Sequence, residues 1–161
     1  MAKGQEKTNV MRLLDSKKIS YISHTYATDI TEGVKIAAIL GEPQELVYKT
    51  LVTEAASREH YVFVIPVAAT LDLKAAAKTV GEKSVAMLKQ KDLLGLTGYI
   101  HGGCSPVGMK KPFRTVFDSS AEPLERFYVS TGRVGFQIET DPRELAHMIG
   151  AEFAPVCMAE D

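Results

Sequence analysis

Two β-rich apolar runs, residues 47–54 (Val-Tyr-Lys-Thr-Leu-Val-Thr-Glu) and 60–67 (His-Tyr-Val-Phe-Val-Ile-Pro-Val), are separated only by the polar segment Ala55-Ala56-Ser57-Arg58-Glu59. So short a connection between two strand-forming runs predicts an antiparallel hairpin. The rest of the chain reads around it. Further strands are expected at residues 19–26, 84–88, 99–101, 114–118, 126–130 and 134–140. Thr8 caps a first helix that turns Val10, Leu13 and Leu14 inward, and Thr31 caps a second through Val34, Ile36, Ala37 and Leu40, stopped by Gly41. Asp72 caps a third helix over residues 73–80, closed by Gly81. Asp141 caps a last one, with Pro142 at its first position, Leu145, Met148 and Ile149 inward, and Gly150 at its end. Strands outnumber helices and are mostly hairpin-connected, which predicts an α+β fold with a mixed, largely antiparallel sheet.

The 161 residues suit one domain. The expected division is a tail over residues 1–7, a folded domain over 8–156 and a tail over 157–161. Nineteen basic residues stand against twenty acidic ones. That balance excludes a general nucleic-acid-coating protein but leaves room for a local basic patch that grips one RNA end. Cys104 and Cys157 are far apart and form no CxxC pair, so no disulfide framework is expected. The polar N-terminus lacks the apolar stretch of a signal peptide, and no apolar run is long enough to span a bilayer. These features predict a cytoplasmic protein. His24, His60, His101 and His147 show no metal-ligand spacing, so neither metal nor cofactor is expected.

Two segments carry chemistry. In Gly102-Gly103-Cys104-Ser105-Pro106-Val107-Gly108 the glycines remove side-chain bulk, so a ligand could approach bare backbone amides. The same glycines could equally serve a tight turn. Cys104 lies in this loop, but a cysteine nucleophile needs a base brought close by the fold, and proximity to His101 in sequence does not provide one. Lys49 interrupts the first apolar run and shares a strand face with Val47 and Leu51. Its ammonium is either in water at a sheet edge or held in a pocket.

Together these segments resemble the YbaK/EbsC family, the free-standing editing proteins related to the insertion domain of bacterial prolyl-tRNA synthetases. The resemblance runs from about Val10 to Pro155. It includes residues 19–26 (Ile-Ser-Tyr-Ile-Ser-His-Thr-Tyr), 71–74 (Leu-Asp-Leu-Lys) and 128–132 (Tyr-Val-Ser-Thr-Gly). It implies a curved, barrel-like sheet flanked by helices, and a deacylase that clears Cys-tRNA(Pro). The chemistry it implies needs no protein nucleophile, because the substrate's own thiol attacks its carbonyl. Lys49 matches the family's functional lysine. Gly102 through Pro106 match the recognition motif, so Gly102, Gly103, Cys104, Ser105 and Pro106 are expected at the substrate, and Tyr26, Thr50, Ser130 and Gln137 match substrate-contacting positions. Lys110, Lys111, Arg114 and Arg133, with Arg126, are candidates for a basic rim on RNA phosphates. The partners this implies are the tRNA acceptor end and a prolyl-tRNA synthetase. Gln137 stands where better-known members carry an acidic residue, and Glu32 falls near a position that is often aromatic. Deacylation of another mischarged tRNA such as Ala-tRNA(Pro) by water, or a non-catalytic binding module, remain open alternatives.

Overall fold

The expected hairpin forms the centre of the molecule. In a computed structural model describing residues 7–27 and 30–159, β2 (Tyr48–Ala55) pairs antiparallel with β3 (His60–Pro66), Val52 facing Val62. Around it builds a five-stranded sheet in the order β4-β2-β3-β5-β8, with β4 Val85–Met87, β5 Arg114–Asp118 and β8 Glu152–Ala154. The β3–β5 and β5–β8 pairs are parallel; the other pairs in the molecule are antiparallel. A second sheet of three strands runs β1-β7-β6, over Tyr21–Thr25, Phe136–Thr140 and Phe127–Ser130. The fold is α+β with mixed, mainly antiparallel pairing, as the sequence predicts. The sheets do not close into a barrel. Their backbones are joined by a parallel bridge, Val47 to Tyr128, and their side chains pack together in one core.

Local chemistry explains most helix boundaries. Thr8 Oγ1 accepts from the Met11 amide to start α1 (Asn9–Ser16). Asp72 accepts from the Lys74 and Ala75 amides at the head of α3 (Leu73–Val80). Asp141 caps α5 (Pro142–Ile149) in the same way. Gly41, Gly81 and Gly150 end their helices in the left-handed conformation. One cap differs from expectation. Helix α2 (Gly33–Leu40) begins after Glu32, whose side chain makes no capping bond, and Thr31 lies outside it.

Helices α1 and α5 cover a core shared by both sheets, with Val10, Leu14, Val64, Phe117, Phe127, Ile138 and Leu145 fully buried. Helix α3 covers the opposite face of the large sheet over Phe63, Ile65, Val116 and Val156.

Three further differences concern the chain between the strands. Residues 99–101, expected as a strand, are irregular, and the segment before them is helix α4 (Gln90–Thr97). The last strand, β8, was also not expected. Pairing continues into the expected C-terminal tail: Cys157 bridges to Leu71, and the Met158 amide donates to Thr70 O. The buried Asp118 carboxylate fixes this segment by accepting from the Val156 amide. The other expected tail is described only at Lys7, which pairs with Asp15; residues 1–6 lie outside the described residues.

Candidate active site

The seam between the sheets holds a cavity of about 380 Å³. Residues 47–51 of the hairpin form one wall, and Ser130 on β6 and Gln137 on β7 form another. The first turns of α2 and Leu93 of α4 flank it, and His101, Gly102 and Cys104 close it. It therefore unites Lys49, Thr50, Gly102, Cys104, Ser130 and Gln137, which are far apart in sequence. A larger open depression of about 680 Å³ lies between α1 and β1 around Lys7, Asp15 and Lys18, and holds none of the predicted residues.

Lys49 is half-buried. Its cross-strand partner Ile65 belongs to the core under α3, so Lys49 sits where that core meets the cavity. Burial lowers its pKa from the ordinary lysine value, against a smaller opposing effect from Cys157. Thr50, next along the strand, belongs to the opposite face, as its partner Val64 does.

Close packing accounts for both glycines of the loop. Gly102 has φ +87°, and a Cβ there would lie 2.7 Å from Thr31 Cγ2. A Cβ on Gly103 would lie 3.0 Å from the Val134 amide nitrogen, and the Gly103 amide already donates to Ile100 O. The space above both glycines is filled by protein, so they allow the loop to dock on the chain before α2 and on the turn after β6. That docking leaves Gly102 and Cys104 on the cavity wall. Ser105 is fully buried and its Oγ accepts from the Val107 amide, a local turn bond, while Pro106 lines a separate depression beside Lys111.

Tyr99 locks this arrangement. Its hydroxyl donates to Val107 O and would lie 2.9 Å from a Cβ on Gly108, while its ring edge would lie 2.5 Å from a Cβ on Gly132. Cys104 is 8% exposed, and burial pushes its thiol up to about 12. It is therefore a neutral wall residue at physiological pH and a poor nucleophile.

Gln137 is buried, with Nε2 3.5 Å from the Tyr26 hydroxyl, which brings Tyr26 to the cavity's second layer. Ser130 Oγ accepts from the Gly132 amide. Farther along the same face of the small sheet, Glu139 joins His24 (3.0 Å) and Arg126 (2.6 Å), and Tyr128 donates to Glu42. Arg126 is thus engaged with carboxylates.

The proposed basic rim does not come together as one surface at the cavity. Arg114 pairs with Glu152 (2.8 Å) and faces the carbonyls of Thr79 and Val80. Arg133 lies 4.8 Å over the Phe136 ring. Lys110 packs on the end of α4, reaching Gly95 O, and Lys111 is exposed. Sequence reasoning missed Thr31, Val67 and Leu93 as cavity residues. No local pattern marks Val67, which packs against Gly33, where a Cβ would lie 2.4 Å from Val67 Cγ1. Among the described residues no group of His, Cys, Asp or Glu is arranged to hold a metal, and no helix is long and apolar enough to cross a membrane.

The structure is a small α+β domain with a cavity at the seam of its two sheets, lined mainly by neutral side chains with the half-buried Lys49 and the exposed Glu32. The chain belongs to the aminoacyl-tRNA editing domain family, whose pattern it matches over residues 27–148. It is 40% identical over 160 residues, 98% of each chain, to an Enterococcus faecalis protein carrying the provisional name Cys-tRNA(Pro)/Cys-tRNA(Cys) deacylase EbsC. The crystal structure of the hypothetical protein APE2540 superposes with a TM-score of 0.86 at 25% identity, over 92% of this chain and 99% of that one. A structure provisionally described as a trans-editing enzyme for prolyl-tRNA synthetase gives 0.81 at 20% identity, over 96% and 100%. Aminoacyl-tRNA editing by deacylation, with tRNA as the substrate, is the activity of this family.

Proposed function

We propose that the protein clears mischarged Cys-tRNA(Pro) in trans, using the sulfur of the substrate. The observation that carries this reading is the state of Cys104: the cavity's own thiol is buried and held neutral. A free cysteinyl thiol, with a pKa of about 8.5, is a few per cent thiolate at neutral pH and intrinsically nucleophilic. Its sulfur attacks the ester carbonyl carbon, a C–S bond forms, and the C–O bond to the terminal ribose breaks. The ribose oxygen leaves with a proton, and the cyclic thioester then hydrolyses in water. The cavity's part is orientation and electrostatics. Alignment of reacting groups can be worth on the order of 7–11 kcal/mol. Lys49 supplies a cation to the ester end. Gly102 and Cys104 line the cavity, and their backbone amides are the groups we assign to the developing carbonyl charge. A cavity this small reads the acceptor end, and association with a prolyl-tRNA synthetase would supply the rest of the tRNA selectivity, in the cytoplasm where translation occurs.

The test is a deacylation panel across Cys-, Ser-, Ala- and Pro-tRNA on one tRNA body. Cys-tRNA is expected to turn over at least about a hundredfold faster than Ser-tRNA, because a serine hydroxyl is un-ionised at neutral pH. Equal rates for the two, or equally fast Ala-tRNA cleavage, would replace thiol attack by attack of water.

A further inference from the structure

Helix α4 has two unlike faces. Leu93 and Leu96 turn inward and pack with Val52, Val62 and Cys104, and Leu93 also lines the cavity. On the helical period Lys91, Leu94 and Gly95 share the outward face. Lys91 is exposed and Leu94 is 54% exposed. Lys110 lies across the far end of this face, with Nζ 3.4 Å from Gly95 O and its stem beside Gly98. Two observations set the face apart. The first is its unbalanced charge. Residues 83–111 carry five lysines and one acidic residue, Asp92, in a chain whose net charge is −1. Lys7, Lys35, Arg114, Arg126 and Arg143 each join a carboxylate. Among the described residues, Lys89, Lys91 and Lys110 have no such partner. Asp92 lies about 100° around the helix from Lys91. The second observation is Gly95 itself, inside the helix, where a Cβ would meet nothing within 4 Å. An interior glycine costs a helix about 1 kcal/mol relative to alanine, and packing gives no reason for it here. Gly98, by contrast, ends α4 at φ +88°.

We infer that the outward face of α4, with Lys91, Gly95 and Lys110, is the surface over which the phosphate backbone of the acceptor stem runs as its 3′ end enters the cavity. This rests on the aminoacyl-tRNA reading above and adds to it the path of the RNA. The inner face of the same helix is cavity wall, so RNA leaving the cavity on this side meets the lysines at once. Helix α2, which also flanks the cavity, offers no such surface, because its Lys35 is paired with Glu32 at 3.3 Å. From Lys91 to Gly95 the helix rises about 6 Å. Two ammonium groups therefore flank a stretch of bare helix backbone that a sugar–phosphate chain can approach closely. Lys110 uses one of its three N–H donors on Gly95 O and keeps two for phosphate. Such contacts fix the position of the RNA and carry no base information.

The test measures binding of an uncharged RNA minihelix, an acceptor stem with its single-stranded 3′ CCA end, from about 50 to 200 mM salt. Wild-type affinity should fall with salt. Lys91→Gln combined with Lys110→Gln should weaken binding at least about tenfold at the low-salt end. It should also lower the slope of log affinity against log salt by about 1 to 2. Gly95→Leu puts a strong helix former into open space, so the melting temperature should stay level or rise. Its affinity for the minihelix should nonetheless fall at least about fivefold, which a merely structural glycine would not produce. Arg12→Gln combined with Lys17→Gln, which removes two cations from α1 and its end, should change neither affinity nor slope. The inference would be overturned by salt-independent or absent wild-type binding, or by an unchanged slope in the Lys91 and Lys110 double variant. Full affinity in folded Gly95→Leu, or a larger loss from the α1 pair, would overturn it as well. Because binding is read without ester cleavage, a protein that binds the minihelix in this way but deacylates nothing refutes the deacylase reading alone.

Discussion

Along β3 four consecutive residues, Val62, Phe63, Val64 and Ile65, are completely buried, because helices or loops cover both faces of that strand. Along β6 all four residues are buried too, and on β6 and β7 it is the chemistry of the side chains that alternates. Val129 and Ile138 enter the core, while Ser130, Gln137 and Glu139 occupy the other face. The large sheet therefore has little room for polar groups away from its margins. The small sheet has one complete face for them, braced by Arg126, Glu139, His24 and Glu42. The cavity lies where the two meet. It takes Lys49 and Thr50 from the margin of the first and Ser130 and Gln137 from the second, so the site's polar groups lie apart from the fully buried centre of β3.

The comparison breaks most clearly if core changes and site changes have the same effects. Phe63→Ala should cost about 3–5 kcal/mol of stability, seen as a large fall in the denaturant midpoint. Lys49→Ala should leave the midpoint nearly unchanged and lower deacylation at least about a hundredfold, roughly 2.7 kcal/mol of barrier. A large stability loss with proportionate activity loss would make Lys49 a packing residue. Arg126→Met removes a half-exposed contact to Glu139 and Glu42 and should cost no more than about 1 kcal/mol. A larger loss would mean that the small sheet depends on its polar face for folding.

Cys104→Ser should change turnover least, within a few-fold, and keep the wild-type pH–rate profile between pH 7 and 9. Its effect on stability depends on pH in a definite sense. The folded thiol holds its proton to about 12, whereas the unfolded thiol releases it near 8.5. Above pH 8.5 the unfolded chain thus binds fewer protons than the folded one, and stability falls as pH rises toward 12. Replacing the thiol removes that slope, up to about 1.4 kcal/mol per pH unit. Urea midpoints at pH 7.5 and 10 for both proteins would reveal it, and parallel slopes would refute the burial of Cys104.

Those parts of the fold fixed by neighbours in sequence were legible without coordinates. The hairpin, the Asp72 cap and the Asp141-Pro142 start depend on contacts within a few residues. Helix α4 was hidden because Gly95 interrupts it and Lys89 provides no side-chain cap. Strand β8 has three residues and exists only because β5 offers an edge. Thr31 was read as a cap because its residue type suits one, but its methyl group is needed against Gly102. Lys49, Thr50, Ser130 and Gln137 could be proposed from motifs. That they share one cavity depends on the meeting of two sheets that no local pattern encodes.

Tyr99 places a restriction on how such a domain can be altered. One side chain sits against both Gly132, with its ring, and Gly108, with its hydroxyl, so the loop that closes the cavity and the turn after Ser130 share a single spacer. A side chain introduced at either glycine displaces the ring from the other. Lineages that diverge here should therefore keep both glycines wherever they keep Tyr99. A laboratory library that randomises either glycine will mostly sample broken proteins, because Gly108 and Gly132 have φ of +75° and +96°, where a side chain is strained even if Tyr99 is made smaller.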